Sequence, residues 1–472
     1  MRKVILFLVT FGVASLAAQP RPSIDWAKVD LEAMQHFQAL LRFDTSDPPT
    51  TPPGVEKPAV DYLKQVLDKE GIPNQLHALE ANRPNLIARL KGNGRARPLL
   101  IMAHTDTVNV DPKKWTFPPF SATRDGGYVY SRGAVDDKDN VTGALMTLLL
   151  LKRNNVPLNR DVIVLFEAGE EGATRVGIQF IVDKHYADIE AEYCLAEGGG
   201  GTRERGQMKF VSVQTLEKIP RAISLTARGV AGHGSVPLQS NAIVHLSDAV
   251  AKVAKWQPPI APNETTAAYF KRLAAVSTPE EAERYRNVLS PDPKVRDAAD
   301  EYFRANEPRH ASMLRTSVSP NMFQGGYRVN VIPSEAVATL DVRMLPDDDP
   351  KAFLEEVKRI VNDPNVEVQY AARDVRPNGM TRLNTDAFAV LEANVKKHYN
   401  SITLPTMSTG ATDMAYLRAK GIQCYGIGPA LDAEDGPKGF GAHSDQERIL
   451  ESELYRFLRF NYDVVVDIAG AK

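Results

Sequence analysis

The chain has 472 residues, 43% of them hydrophobic and 25% charged, with a formal net charge of −2. That length and balance exclude a fibre or a disordered tail and leave room for two domains, three at most. Acids and bases are interspersed, which argues against a nucleic-acid surface, because neutralising phosphates takes a basic stripe. The expected partner is a small molecule.

In chain order, Arg2 and Lys3 precede an apolar run over 4–13, and small residues follow at Ala14, Ala17 and Ala18. This three-part pattern predicts a secretory signal over 1–18, cleaved near Gln19, and hence a periplasmic or secreted protein. The run falls short of the ~20 residues needed to cross a bilayer, and no later segment qualifies. No stable membrane span is expected after cleavage.

Residues 19–217 alternate strand-like and helical runs. LLIMA (99–103) reads as a strand, VTGALMTLLLLK as a helix with Val141, Leu145, Leu148 and Leu149 at helical spacing, and DVIVLFE and AEYCLA as further strands. This is the pattern of an α/β domain built on a mostly parallel sheet. The two cysteines, Cys194 and Cys424, both sit in apolar runs, so buried thiols are expected rather than a bridge, and two are too few for a disulfide framework.

From 218 to 384 the pattern changes. AISLTARG and AVATLDVRML alternate apolar and polar residues, and Ile243, Leu246, Val250, Val253 and Trp256 mark one helical face, which predicts a smaller α+β domain inserted into the first. Within it, residues 257–308 form a charged, Pro-containing insertion with helical stretches (EEAERYRNVL, VRDAADEYFRA), to which the sequence assigns no role. Residues 385–472 return to the α/β pattern and rejoin the first domain.

In an open α/β sheet, functional groups gather beyond the C-terminal strand ends. LLIMA runs into His104 and Asp106, YVYSRGAV into Asp136 and Asp137, VIVLFEA into Glu170 and Glu171, and EYCLA into Glu197, while His443 follows the last strand. Taken singly, each has a plainer reading: a core histidine, a helix N-cap, a solvated turn. Together they are carboxylates that would repel one another unless a cation neutralised them. Two imidazoles with three or four carboxylates suit zinc, or less selectively cobalt or manganese. They are too many donors for one catalytic zinc, and they fit two ions about 3.5–4 Å apart that share a carboxylate and a water.

The motifs HTD (104–106), SRGAVDDK (131–138), EAGEEG (167–172), AEGGG (196–200), GHGSVP (233–237) and GAHSD (441–445) resemble, as an ordered set, the signature of the di-zinc metallopeptidase and aminoacylase family. That family includes glutamate carboxypeptidase, succinyl-diaminopimelate desuccinylase, acetylornithine deacetylase and carboxypeptidase S. The resemblance implies that Asp136 bridges two zinc ions, that His104 and Glu197 complete one shell, and that Glu171 and His443 complete the other. Glu170 would then be the general base, and Asp106 would orient the His104 ring. The small domain would act as a lid. His233 would stabilise the oxyanion, often from the partner subunit of a homodimer, Arg343 and Asn330 would hold a substrate carboxylate, and Gly410 and Thr412 would line the pocket. The resemblance also implies a cis peptide between Asp136 and Asp137. Asp139, Ser131 and Ser444 stand where the family usually has glycine, which puts local loop geometry in question rather than the metal shell.

The expected activity is zinc-dependent hydrolysis of an amide next to a free carboxylate, in a small peptide or an N-acyl amino acid. Glu197, where some relatives carry Asp, leans toward carboxypeptidase or deacylase. The rivals are an aminopeptidase or dipeptidase of the same family, a peptide-binding relative without turnover, and a magnesium phosphohydrolase built on the DDKD loop. The last lacks a G-x-x-x-x-G-K-[ST] loop and would find histidines the wrong ligands.

Overall fold

A computed structural model describes residues 23–47, 56–372 and 375–471 of the chain; the expected signal over 1–18 lies outside them. The main body is a ten-stranded mixed sheet. Its parallel heart is Val162–Glu167, Leu99–His104, Tyr193–Ala196 and Gln423–Gly426, with Leu99 opposite Val162 on one side and Tyr193 on the other. Antiparallel strands extend both flanks, Asn74–His77 and Asn85–Leu90 on one and Gly200–Glu204 and Gln207–Glu217 on the other. The α/β reading of the sequence therefore holds. Strands Leu99–His104 and Val162–Glu167 are buried along their whole length because helices cover both faces. Helix Lys138–Arg153 is buried nearly all round, packed between the sheet and helices Trp26–Leu41 and Glu451–Ala469.

Cys194 and Cys424 face each other in register on adjacent parallel strands, and both are free, buried thiols. A second sheet of four antiparallel strands runs in the order Ser317–Gly325, Glu335–Met344, Ile219–Arg228, Val366–Tyr370. The alternation in AVATLDVRML is visible there: Ala336, Ala338, Leu340, Val342 and Met344 are buried against helices Ala242–Lys255 and Pro350–Val361, and the residues between them face outward.

The insertion forms three helices, Glu264–Ala274, Pro279–Asn287 and Pro293–Asn306, and a fourth, Pro308–Met313, follows it directly. They pack not on the four-stranded sheet but on the main body: Phe270, Leu273, Phe303 and Met313 share a core with Leu216, Leu404 and Met407. The outer strand Ser317–Gly325 is left as an exposed edge, with Met322 and Phe323 in the open.

Candidate metal centre

The strand Leu99–His104 ends with His104 fully buried, and the next strand is tied to it where Thr105 donates its N–H and hydroxyl to the Glu167 carbonyl (both 2.8 Å). These ties hold the ends of two parallel strands level, so that residues sixty positions apart meet. His104 Nε2 lies 3.0 Å from Asp136 Oδ1, and Asp136 Oδ2 lies 3.1 Å from His443 Nε2. His443 Nε2 is also 3.0 Å from Glu171. Asp136 thus presents one oxygen to each imidazole. His443 reaches this position from a left-handed backbone (φ 58°), a conformation that side chains other than glycine's rarely adopt.

Donor atoms of His104, Asp136 and Glu171 lie within 4.8 Å of one another, as do those of His104, Asp137 and Glu197. The second grouping brings in Asp137, which the ligand set read from the sequence left out. Its carboxylate accepts the backbone N–H of His104 (3.2 Å) and the Asn140 amide (2.6 Å). It therefore makes no side-chain cap for the helix that starts at Lys138, the plainer role open to it. The Asp136–Asp137 peptide is cis, as the resemblance implied.

The electrostatics fit a cation. Burial, with repulsion from Glu170, Asp136 and Asp137, pushes the Glu197 carboxyl well above its ordinary range. Burial raises Glu171 to about 7 even against its hydrogen bond from His443. Asp139 and Glu167 are pushed up as well, with both Asp139 oxygens and one Glu167 oxygen buried without a hydrogen bond. The four acids Asp136, Asp137, Glu171 and Glu197, crowded with two imidazoles at the strand ends, are a ligand set that divalent metal would neutralise.

Three groups support the cluster: Asp106, read from the HTD motif, and two pairings that bring in Glu447 and Arg376, which lie in no motif. Asp106 orients more than its neighbour: its carboxylate lies 3.5 Å from His104 Nδ1 and accepts the backbone N–H groups of Glu170 (3.2 Å) and Glu171 (3.0 Å). It therefore sets the turn that splits those two side chains. Glu447, fully buried, accepts from Arg132 (2.7 Å) and from the N–H groups of Gly133 and Val135, while Arg132 also donates to the Ser444 carbonyl (2.7 Å). That pair binds the Asp136 loop to the His443 loop. Arg376 donates to Glu170 Oε1 (2.8 Å) and to its carbonyl (3.1 Å), and stands 3.3 Å from Asp413.

The remaining residues read from the sequence lie apart from the cluster or are engaged elsewhere. The Thr412 hydroxyl donates to Glu217 (2.7 Å), which also accepts from Arg418, so this side chain holds the turn together rather than facing a ligand. Gly410 bonds back to Ser408 (3.0 Å). His233 is exposed, its Nδ1 2.7 Å from the Ser235 hydroxyl, and Asn330 lies beside it, its carbonyl accepting from Gly234. Arg343 and Asn330 are not brought together within one chain. Asn330 precedes the start of strand Glu335–Met344, and Arg343 is at its far end, roughly 27 Å along the strand. Arg343 marks the end of the small sheet joined to the main body, where Lys218 N–H donates to the Ser408 carbonyl (2.9 Å).

Residues 100–467 match the family described as Peptidase family M20/M25/M40. The probable carboxypeptidase S-like 2 of Dictyostelium discoideum is 26% identical over 331 residues, covering 67% of this chain and 62% of that relative. The N-fatty-acyl-amino acid synthase/hydrolase PM20D1 of Xenopus tropicalis is 26% identical over 380 residues, 78% of this chain and 72% of the relative. Among solved structures, the M20 family metallo-carboxypeptidase Sso-CP2 from Sulfolobus solfataricus shares the fold, with a TM-score of 0.69 at 20% identity over 92% of this chain and 98% of that one.

Proposed function

Because the chain belongs to peptidase family M20/M25/M40 and is a hydrolase of that family, we propose that it cleaves an amide bond next to a free carboxylate, with Glu170 as general base. The observation that carries this reading is Asp136 standing between two imidazoles, 3.0 Å from His104 and 3.1 Å from His443, with Glu170 buried at the same strand end. His104 and Glu197 would hold one divalent cation, Glu171 and His443 a second, and Asp136 would serve both; imidazole with carboxylate favours zinc, with cobalt or manganese as substitutes. When bound, such a pair polarises the scissile carbonyl and brings the pKa of a water toward ~7.

The chain's own residues do the rest. Glu170 takes a proton from the attacking water and passes it to the leaving nitrogen. Arg376, by holding Glu170 Oε1, leaves the other carboxylate oxygen for that transfer. Arg376→Ala is expected to lower kcat by up to ~10²-fold with KM little changed, the effect of a base displaced by about an ångström, and Arg376→Lys to recover part of it. Steady-state kinetics check this; an unchanged kcat removes Arg376 from the mechanism.

Recognition of the substrate carboxylate falls to Arg343 at the end of the small sheet joined to the main body, where its Nε donates to Asp341 (2.8 Å) and its terminal nitrogens form a fork. An apolar group ahead of the cleaved bond is supported by a cavity with apolar walls. A cavity of about 350 Å³ that reaches Gly198 is lined by Phe210, Met407 and Ser408 of the main body and by Tyr269 and Met313 of the neighbouring helices, with Glu307, Arg309 and His310 at the same wall. Methionine walls adapt to varied chains. The substrate class favoured is therefore an N-acyl amino acid or peptide with an apolar group ahead of the cleaved bond. The test is hydrolysis of N-acyl amino acids of increasing acyl length, each with its carboxylate free or amidated. Faster cleavage of long acyl chains, and loss of cleavage on amidation, is the expected result. Turnover that demands a free amine instead would favour an aminopeptidase or dipeptidase.

A homodimer through the small domain is supported by the exposed edge strand Ser317–Gly325 and by Tyr327 and Val329, which are exposed beside Asn330. Such an edge is a template for pairing with another copy, and pairing would give His233 and Asn330 a route to a second copy's metal cluster. Phe323→Glu is expected to shift the protein from dimer to monomer in sedimentation and to lower turnover with it. A wild-type monomer that is fully active would dismiss this route.

Export is supported by the sequence pattern over 1–18. N-terminal sequencing of protein recovered from the producing cells should begin near Gln19; an intact Met1 terminus would refute it.

A further inference from the structure

On the flank of the main sheet, three strand spacings from the strand that carries His104, or roughly 14 Å, the edge strand Asn74–His77 ends against the segment that links helices Ile178–Lys184 and Tyr186–Ile189. The His77 and His185 rings lie one over the other there, with centroids 3.7 Å apart and planes 30° apart. Asp188 completes the group: its Oδ2 is 3.3 Å from His77 Nε2 and 3.9 Å from His185 Nδ1. One donor atom from each residue lies within 4.8 Å of the others.

We propose that His77, His185 and Asp188 form a separate surface site for one divalent transition-metal ion of intermediate softness, zinc foremost.

Two imidazoles and a carboxylate are the donor types such ions take, at about 2.0–2.2 Å each, with a fourth position left for water. Donors around a tetrahedral ion at those lengths stand roughly 3.3 Å apart, the spacing His77 and Asp188 already have. His185 has only to rotate its partly exposed ring to bring Nδ1 into line. His77 Nε2 is buried and faces the Asp188 carboxylate at 3.3 Å without a well-aligned hydrogen bond, a shortfall that a metal between the two would make good.

The scaffold is fixed on each side. The His77 carbonyl accepts from the Asn85 amide (3.3 Å), the Asp188 carbonyl accepts from Arg89 (2.8 Å), and Phe180 packs edge-on against His185 at 5.0 Å. A bound ion would clip the edge strand to the 178–189 segment. None of the three residues belongs to the metal cluster around Asp136.

The test compares the full-length protein with His77→Ala/His185→Ala, both dialysed against micromolar zinc and then analysed for metal. The wild type is expected to hold one equivalent more per chain than the double variant. Its Tm should rise as zinc is raised beyond what fills the Asp136 cluster, and the variant should not show that rise. Turnover of the two should be equal. Asp188→Asn serves as the second variant if the double one folds poorly, and should show the same loss of one equivalent. Equal metal content and equal Tm response in wild type and variant would overturn the site and leave the histidine stack a packing feature.

Discussion

Glu170→Ala is expected to lower kcat by ~10²–10⁴-fold, the range for removing a positioned general base, with the metal content of the protein unchanged. The geometry separates the two outcomes. Adjacent residues on the Glu170–Glu171 turn send their side chains apart, Glu171 to His443 at 3.0 Å and Glu170 to Arg376 at 2.8 Å. Their backbone N–H groups are both held by Asp106, so truncating Glu170 leaves the turn in place. Metal analysis alongside kcat on an N-acyl amino acid checks this. Turnover near that of the wild type would remove Glu170 as the base, and loss of metal would make it a ligand instead. Glu170→Gln, similar in shape but unable to take the proton, should fail as badly as the alanine variant.

Asp136→Ala should act on binding rather than on proton transfer. Each of its oxygens faces a different imidazole, so its removal takes a donor from both halves of the cluster at once and leaves Glu171 and Glu197 with fewer groups to share a cation. Loss of even an outer partner costs about 10–100-fold in metal affinity, and a shared ligand should cost more. The expected result is a protein that folds, loses its metal on dialysis and shows no turnover until metal is added in large excess. Metal retained as tightly as in the wild type would refute the bridging role. Asp137→Ala is a useful contrast, because Asp137 fixes the His104 backbone and Asn140 and should weaken the centre less.

Much of the fold was legible beforehand because its signals are local. The unbroken apolar runs of Leu99–His104 and Val162–Glu167 announce strands buried on both faces, and the strict alternation in Glu335–Met344 announces a strand buried on one. The insertion was legible as helices but not as to place, since its apolar faces would fit any apolar partner. Only the folded chain shows them seated on Leu216, Leu404 and Met407.

The candidate ligands were legible because their motifs place acids and imidazoles beyond strand ends, where an α/β sheet gathers its functional groups. The sequence by itself determined the family and, through strand-end placement, which residues would be offered to a metal. What the tertiary structure alone decided is how those residues are held and which of them meet. Glu447 and Arg376 are single charged residues outside every motif, and their pairing with Arg132 and Glu170, like the hold of Asp106 on two backbone N–H groups, joins positions as many as 315 apart. It also separated Arg343 from Asn330, because most of the ten-residue strand Glu335–Met344 runs between them. Local pattern depends on the chemistry of near neighbours along the chain, whereas these pairings depend on the register and twist of a sheet, which no stretch of residues carries alone.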